Sequence, residues 1–175
     1  LARLEERPAA EVVASLDEAV DARVLRAPAD PGGRWRFDHV LVREVLYAAL
    51  AASSRMLLHE RLGSILATRS AGDPDPPLAE IAHHFVAAGS RARALEYARR
   101  AAERAAAGYA YEEAVRLYGL ALQLCEADDP ERGQLLLGLG DVAGRSGDEA
   151  AMRSAFLQAA ELADRDRRRG ADHRI

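Results

Sequence analysis

Between residues 9 and 22 the apolar positions Val12, Val13, Leu16, Ala19 and Val20 recur at the three- and four-residue spacing of one helical stripe, behind a Pro8 that suits a helix entrance. The period then changes. Val24 and Leu25, a Pro/Gly-rich stretch at 27–33, and Trp35 alternating with Phe37 predict two short strands joined as a hairpin. Helical spacing returns in Leu41, Val42, Val45, Leu46, Ala49 and Leu50, which predict a buried face, with Asp38 placed to cap that helix. A break at Ala52, Ser53 and Ser54 leads into another helix, capped by Ser53 or Ser54, carrying Leu58, Leu62, Ile65 and Leu66 and ending near Ser70.

Residues 71–77 hold Gly72, Pro74, Pro76 and Pro77 and read as a linker, because consecutive prolines cannot continue a helix. Beyond it the pattern predicts short helices at 78–88, 91–107, 111–127, 130–146 and 149–165. They are punctuated by Gly89, Gly108 and Gly147, which can supply left-handed C-caps, and by Pro130 at a first helical position. A degenerate repeat runs through this half. Leu139, Gly140, Ala143, Gly147, Asp148, Met152, Phe156 and Ala159 form a small/large alternation, whose phase returns in Ala114, Tyr118 and Ala121 and in Ala94, Ala98 and Ala101. Small residues such as Gly140 and Ala159 let two backbones approach, and Phe156 is expected to fill the groove between successive hairpins. Gly138, Gly140 and Gly144 each cost about 1 kcal/mol against Ala inside a helix, so close packing is the expected reason for them.

Composition narrows the function. Acids outnumber bases, 28 to 24, for a net charge of −4, which removes any general attraction to nucleic acid or anionic lipid. Every one of those bases is Arg, an Ala- and Arg-rich habit of GC-rich, actinobacterial genomes. The one cysteine, Cys125, cannot make an internal disulfide and falls in register with Ala114, Leu117, Tyr118 and Ala121 as a small core residue. No long apolar run or signal-peptide pattern is present, and a cytoplasmic location is the expectation. Residues 1–7 read as the tail of a helix whose packing partners lie upstream, so the chain is expected to be a piece of something longer.

Most chemistry that could make this an enzyme is missing from the sequence. A phosphate-cradling G-x-x-x-x-G-K-[ST] loop needs a lysine, and the glycines at 138–144 sit inside an amphipathic helix rather than after a strand. His83 and His84 are adjacent on a helix and point about 100° apart, so one is expected to pack and the other to be solvated; no paired Cys or H-E-x-x-H spacing makes them ligands. His59 reads as a helix-surface residue. The arginines of 166–175, with His173, read as a disordered, solvated tail. No metal or catalytic residue is assigned. His39 differs in context: it follows the strand and opens a helix, where backbone N–H groups and the dipole favour an anion.

The run Phe37-Asp38-His39-Val40-Leu41-Val42-Arg43-Glu44, followed by Leu58-His59-Glu60-Arg61-Leu62 and by Ala79-Glu80-Ile81-Ala82-His83-His84-Phe85, resembles bacterial LuxR-type and related STAND ATPase regulators over roughly residues 10 to 165. The resemblance implies a mainly α fold. A winged-helix module with a small β-hairpin and trailing helices would occupy 1–70, a linker 71–77, a TPR-like α-solenoid of antiparallel helix pairs 78–165, and a tail 166–175. It also implies an upstream AAA-like NTPase domain holding ATP or ADP, a winged helix that clamps the nucleotide state, and a solenoid that takes a protein or small-molecule inducer. His39 matches the family's nucleotide-sensing position. Here Asp38 precedes it and Val40 follows it, where the better-known version has Met and Asp. Arg93, Tyr97, Tyr111 and Arg116 are the candidate partner-facing residues.

On this reading the chain is a non-catalytic regulatory and interaction segment of a signalling or transcriptional regulator, with no cofactor of its own and no membrane contact. The alternative is a DNA-binding winged-helix transcription factor with a TPR-like oligomerisation or sensor domain. Its recognition helix, 9–22, would carry Glu11, Asp17, Glu18 and Asp21 against phosphates, and only Arg34 and Arg36 on the hairpin favour DNA.

Overall fold

The computed structural model describes residues 8–30 and 35–172. The fold is mainly helical with one small two-stranded antiparallel hairpin. Helix α1 (Ala9–Asp21) leads into strands β1 (Leu25–Arg26) and β2 (Arg36–Phe37), which pair Leu25 with Phe37 and Arg26 with Arg36. Helix α2 (Val40–Ala49) follows β2 directly. Then come α3 (Ala52–Arg69), α4 (Leu78–Ala88), α5 (Arg91–Ala107), α6 (Tyr111–Leu124), α7 (Arg132–Ser146) and α8 (Glu149–Asp172).

From α3 onward each helix packs on the next, giving a stack in which sequence neighbours are also spatial neighbours. Short turns make this obligatory. Gly89 and Gly147 end α4 and α7 with φ of 75° and 86°, a left-handed conformation that costs glycine nothing, so the chain reverses at once. Gly108 does not play that part: its φ is −86°, and Tyr109, at 62°, takes the left-handed position instead. Helix α7 starts at Arg132 rather than at Pro130, since Asp129 Oδ1 accepts the Glu131 N–H and shapes a turn first.

The core of the stack is built from small side chains. Ala98, Ala101, Ala102, Ala114, Ala121 and Cys125 are buried with Leu117, Tyr118, Leu135 and Val142 in one cluster. The register expected for Cys125 thus holds: it shares its buried face with Ala114, Leu117, Tyr118 and Ala121. A second cluster places Ile81, Phe85 and Ala94 against Leu66 and Ala67 of α3. Three of the four glycines of α7 work by absence of a side chain. A Cβ at Gly138 would stand 2.6 Å from Tyr118 Cζ, one at Gly140 2.6 Å from Phe156 Cε1, and one at Gly144 2.8 Å from Met152 Sδ. Each is a site of close approach, as the repeat pattern suggested.

Several expectations are corrected. Residues 71–77 do not separate two modules. They join α3 to α4, which pack on each other so closely that a Cβ at Gly63 would lie 2.9 Å from the Phe85 ring. The packing boundary falls instead near Leu50, between α2 and α3. Ser53 and Ser54 lie inside α3, whose N-cap is Ala51 without a side-chain cap. Helix α8 continues to Asp172 where a disordered tail was expected from 166; Glu161–Arg165 and Asp164–Arg167 pairs at helical spacing favour continuation. The Arg34 and His173 assignments lie outside the described residues. Among the described residues no helix is long and apolar enough to cross a membrane.

The largest correction concerns α2. None of its residues is buried: Leu41, Val45, Leu46 and Leu50 are exposed, Val45 at 68%. Its sequence has the pattern of a core helix, yet among the described residues that face is left open.

Candidate functional site

Two groups of side chains at the two ends of α2 carry the polar chemistry. The first is the α2 N-terminus. Asp38, expected as the cap, pairs with Arg26 of β1 and ties the ends of the hairpin together. The cap is His39, extended at φ −137° and ψ 137°, whose Nδ1 accepts the Leu41 N–H at 3.2 Å. Because Nδ1 serves as acceptor, the neutral ring carries its hydrogen on Nε2. His39 is exposed, so that Nε2–H faces outward as a donor beside the positive end of a helix dipole.

The second group lies where α2 ends and the stack begins. Tyr47 Oη is 2.8 Å from His59 Nε2, and His59 Nδ1 is 2.8 Å from His84 Nδ1, so one hydrogen-bonded chain crosses α2, α3 and α4. His83 completes a cluster of rings, 6.1 Å from His59 and 5.6 Å from His84 between centroids. Burial, then the His83 charge, hold His59 below its ordinary value. Burial is also the largest cause for His84, followed by His59 and His83, with Glu80 pulling the other way. His59 was expected to be a bland surface residue and is instead the centre of this chain. His83 is exposed and His84 half-buried, close to the division expected for the adjacent pair. Among the described residues, no group of His, Cys, Asp or Glu has metal-holding geometry.

The four partner-facing candidates fall into two separate places. Arg93 turns inward: Nη1 bonds Glu60 Oε1 at 2.5 Å and Ser64 Oγ at 3.0 Å, and the guanidinium covers the Phe85 ring at 3.9 Å. Tyr97 packs against the same ring, tilted at 5.5 Å between centroids, with Arg100 over it. Tyr111 meets Tyr109 edge-on at 6.2 Å and lies under Arg145. Arg116 is forked onto Glu113 of its own helix at 2.9 and 2.5 Å, which lowers the Glu113 carboxyl. Arg93 and Tyr97 thus help to hold α3, α4 and α5 together, while Tyr111 and Arg116 sit on α6.

The sequence hid the histidine chain because it depends on register. Met56 meets Gly89 and Gly63 meets Phe85 across antiparallel α3 and α4, and the same register brings His59 to the α4 turn that bears His84. Pairing the two helices by their glycines would have found it. No protein-family model, curated protein or solved structure matches this chain.

Proposed function

We propose that this chain is a regulatory and interaction segment of a STAND-type, LuxR-like signalling regulator. Its first fifty residues act as a winged-helix clamp on the nucleotide state of an AAA-like domain, and the helical pairs from α3 to α8 serve as a TPR-like scaffold for a protein or small-molecule inducer. The observation that carries this is the combination on α2. One helix has a core-type apolar face that the described residues leave open and, at its N-terminus, an outward imidazole donor at His39. A domain seated on that face would bring a phosphate to His39, where an imidazole donor and the helix dipole act together. ATP or ADP belongs to that neighbour, and any turnover with it.

The stack supports the second half of the reading. Its core is nearest-neighbour and rich in alanine and glycine, an arrangement that lets helical pairs extend in one direction and present a long surface. Direct reading of DNA by α1 is disfavoured by Glu11, Asp17, Glu18 and Asp21 on that helix.

The test is calorimetric titration of ADP into the protein carrying its N-terminal neighbour, with His39 and with His39→Ala. Loss of a charge-assisted bond to phosphate is worth roughly 1.5–3 kcal/mol, about tenfold to a hundredfold in affinity. Equal affinity would remove His39 from the site.

A further inference from the structure

We propose that Tyr47, His59 and His84 form a proton-sensitive latch that holds α2 against the helical stack while at most one of the two imidazoles is charged, and releases it when both are. The latch rests on the reading of the N-terminal unit as a clamp that moves.

Proton counting gives the mechanism. Two Nδ1 atoms at 2.8 Å need one hydrogen and one lone pair between them. With both rings neutral this is satisfied: His84 donates from Nδ1, His59 accepts, and His59 Nε2–H donates to Tyr47 Oη, or the whole chain runs in the opposite sense. A first proton can enter at His84 Nε2 without disturbing either bond. A second has to occupy the lone pair between the two Nδ1 atoms. Every ring nitrogen is then a donor, two N–H groups oppose each other, and two positive rings stand 5.1 Å apart, so His59 turns away from His84 and the same turn carries its Nε2–H off Tyr47 Oη.

The surroundings do little to offset that charge. On α4, His83 adds a third imidazole and Glu80, one turn before His84, is the acid that acts on it. On α3, Glu60 adjoins His59 but is taken by Arg93 and Ser90 of the α5 end, and Arg55 adds a cation beside the Tyr47 ring at 5.4 Å. On α2, Arg43 and Glu44 lie one turn before Tyr47. Beyond the chain connection, Tyr47 is also held by Arg55 Nη1, 3.4 Å from its carbonyl oxygen, a long contact. Of these two polar ties between α2 and the stack, the hydroxyl bond to His59 is the shorter.

The sign follows from the lowered His59 and His84 values. Turning apart relieves the burial and the imidazole neighbours that lower both groups, so released rings take up protons at higher pH than latched ones, and above the ordinary value the latch is at full strength. As pH falls below it, the released form takes up protons first and closure weakens, until the latched rings are charged as well.

The experiment places spin labels at Glu44→Cys on α2 and Ala92→Cys on α5, with Cys125→Ala, and reads the inter-label distance from about pH 8 to about pH 5 without nucleotide. The expected result is one narrow distance at the upper end that broadens in acid while the far-ultraviolet helical signal is kept. His59→Gln, which cannot titrate, loses the pH response, and Tyr47→Phe broadens at a higher pH than the parent. A distance that stays narrow throughout, a His59→Gln protein that responds like the parent, or broadening that coincides with loss of helix would each overturn the latch. None of these outcomes bears on ADP affinity at His39, so the latch and the nucleotide reading fail separately.

Discussion

Helix α7 carries four glycines, three of them at close approaches, and the packing says which of those three is needed. A glycine inside a helix costs about 1 kcal/mol against alanine, so wherever the added methyl finds space the substitution stabilises by about that much. Gly119 of α6 is such a place, with nothing within 4 Å of where its Cβ would stand, and Gly119→Ala is predicted to gain about 1 kcal/mol. Gly138 is the opposite case. Its Cβ would sit 2.6, 2.7 and 2.9 Å from Cζ, Cε1 and Oη of Tyr118, a ring only 8% exposed and locked in the main core cluster. Neither ring nor methyl can give way without moving α7 off α6, so the penalty belongs at the upper end of the 1–3 kcal/mol range for overpacking. Subtracting the helix gain leaves Gly138→Ala about 2 kcal/mol less stable. Gly140→Ala falls between: its methyl meets Phe156 at 2.6 Å, but that ring is 41% exposed and can swing outward. Urea midpoints of the three variants, at constant slope, should rank Gly119→Ala above Gly140→Ala above Gly138→Ala. A Gly138→Ala protein as stable as Gly119→Ala would refute the close α6–α7 approach.

Other outcomes follow from single contacts. Phe85→Ala removes the fully buried ring on which Gly63, Arg93 and Tyr97 converge, and is predicted to cost about 3–5 kcal/mol in denaturant unfolding. His39→Ala removes the α2 cap and should reduce amide protection in the first turn of α2 by about 1 kcal/mol, whereas His39→Asn, a good cap, should keep it. Burial raises the Cys125 thiol, so alkylation of the native protein should be slow near neutral pH and become fast on unfolding; equal rates in both states would contradict its place in the core.

The helices were legible because their signals are local. Residues 78–88 and 91–107 carry both periodicity and end punctuation, and the helices found are Leu78–Ala88 and Arg91–Ala107. The hairpin was legible from the alternation of Trp35 and Phe37. Local signals misled where tertiary context decides. Asp38 is a better cap than histidine by propensity, but its ion pair with Arg26 takes it across the hairpin and leaves the capping to His39. The apolar run of α2 was read as a buried face since periodicity reports the need for a partner and not its presence. Residues 71–77 read as a linker because prolines end helices, yet the next helix can fold straight back, as Gly63 against Phe85 records. The Tyr47–His59–His84 chain joins three helices through side chains 12 and 25 residues apart, a relation that only the pairing of α3 with α4 makes visible.

If α2 is one half of an interface whose other half is a nucleotide-binding domain, its amides must be shielded only when that domain is present. Hydrogen exchange at residues 43–49 tests this, measured in this chain and in the protein bearing its N-terminal neighbour with ADP. Fast exchange is predicted for the chain by itself, with protection raised at least about tenfold in the longer protein, which corresponds to about 1.4 kcal/mol. Equal protection in the two would contradict the clamp.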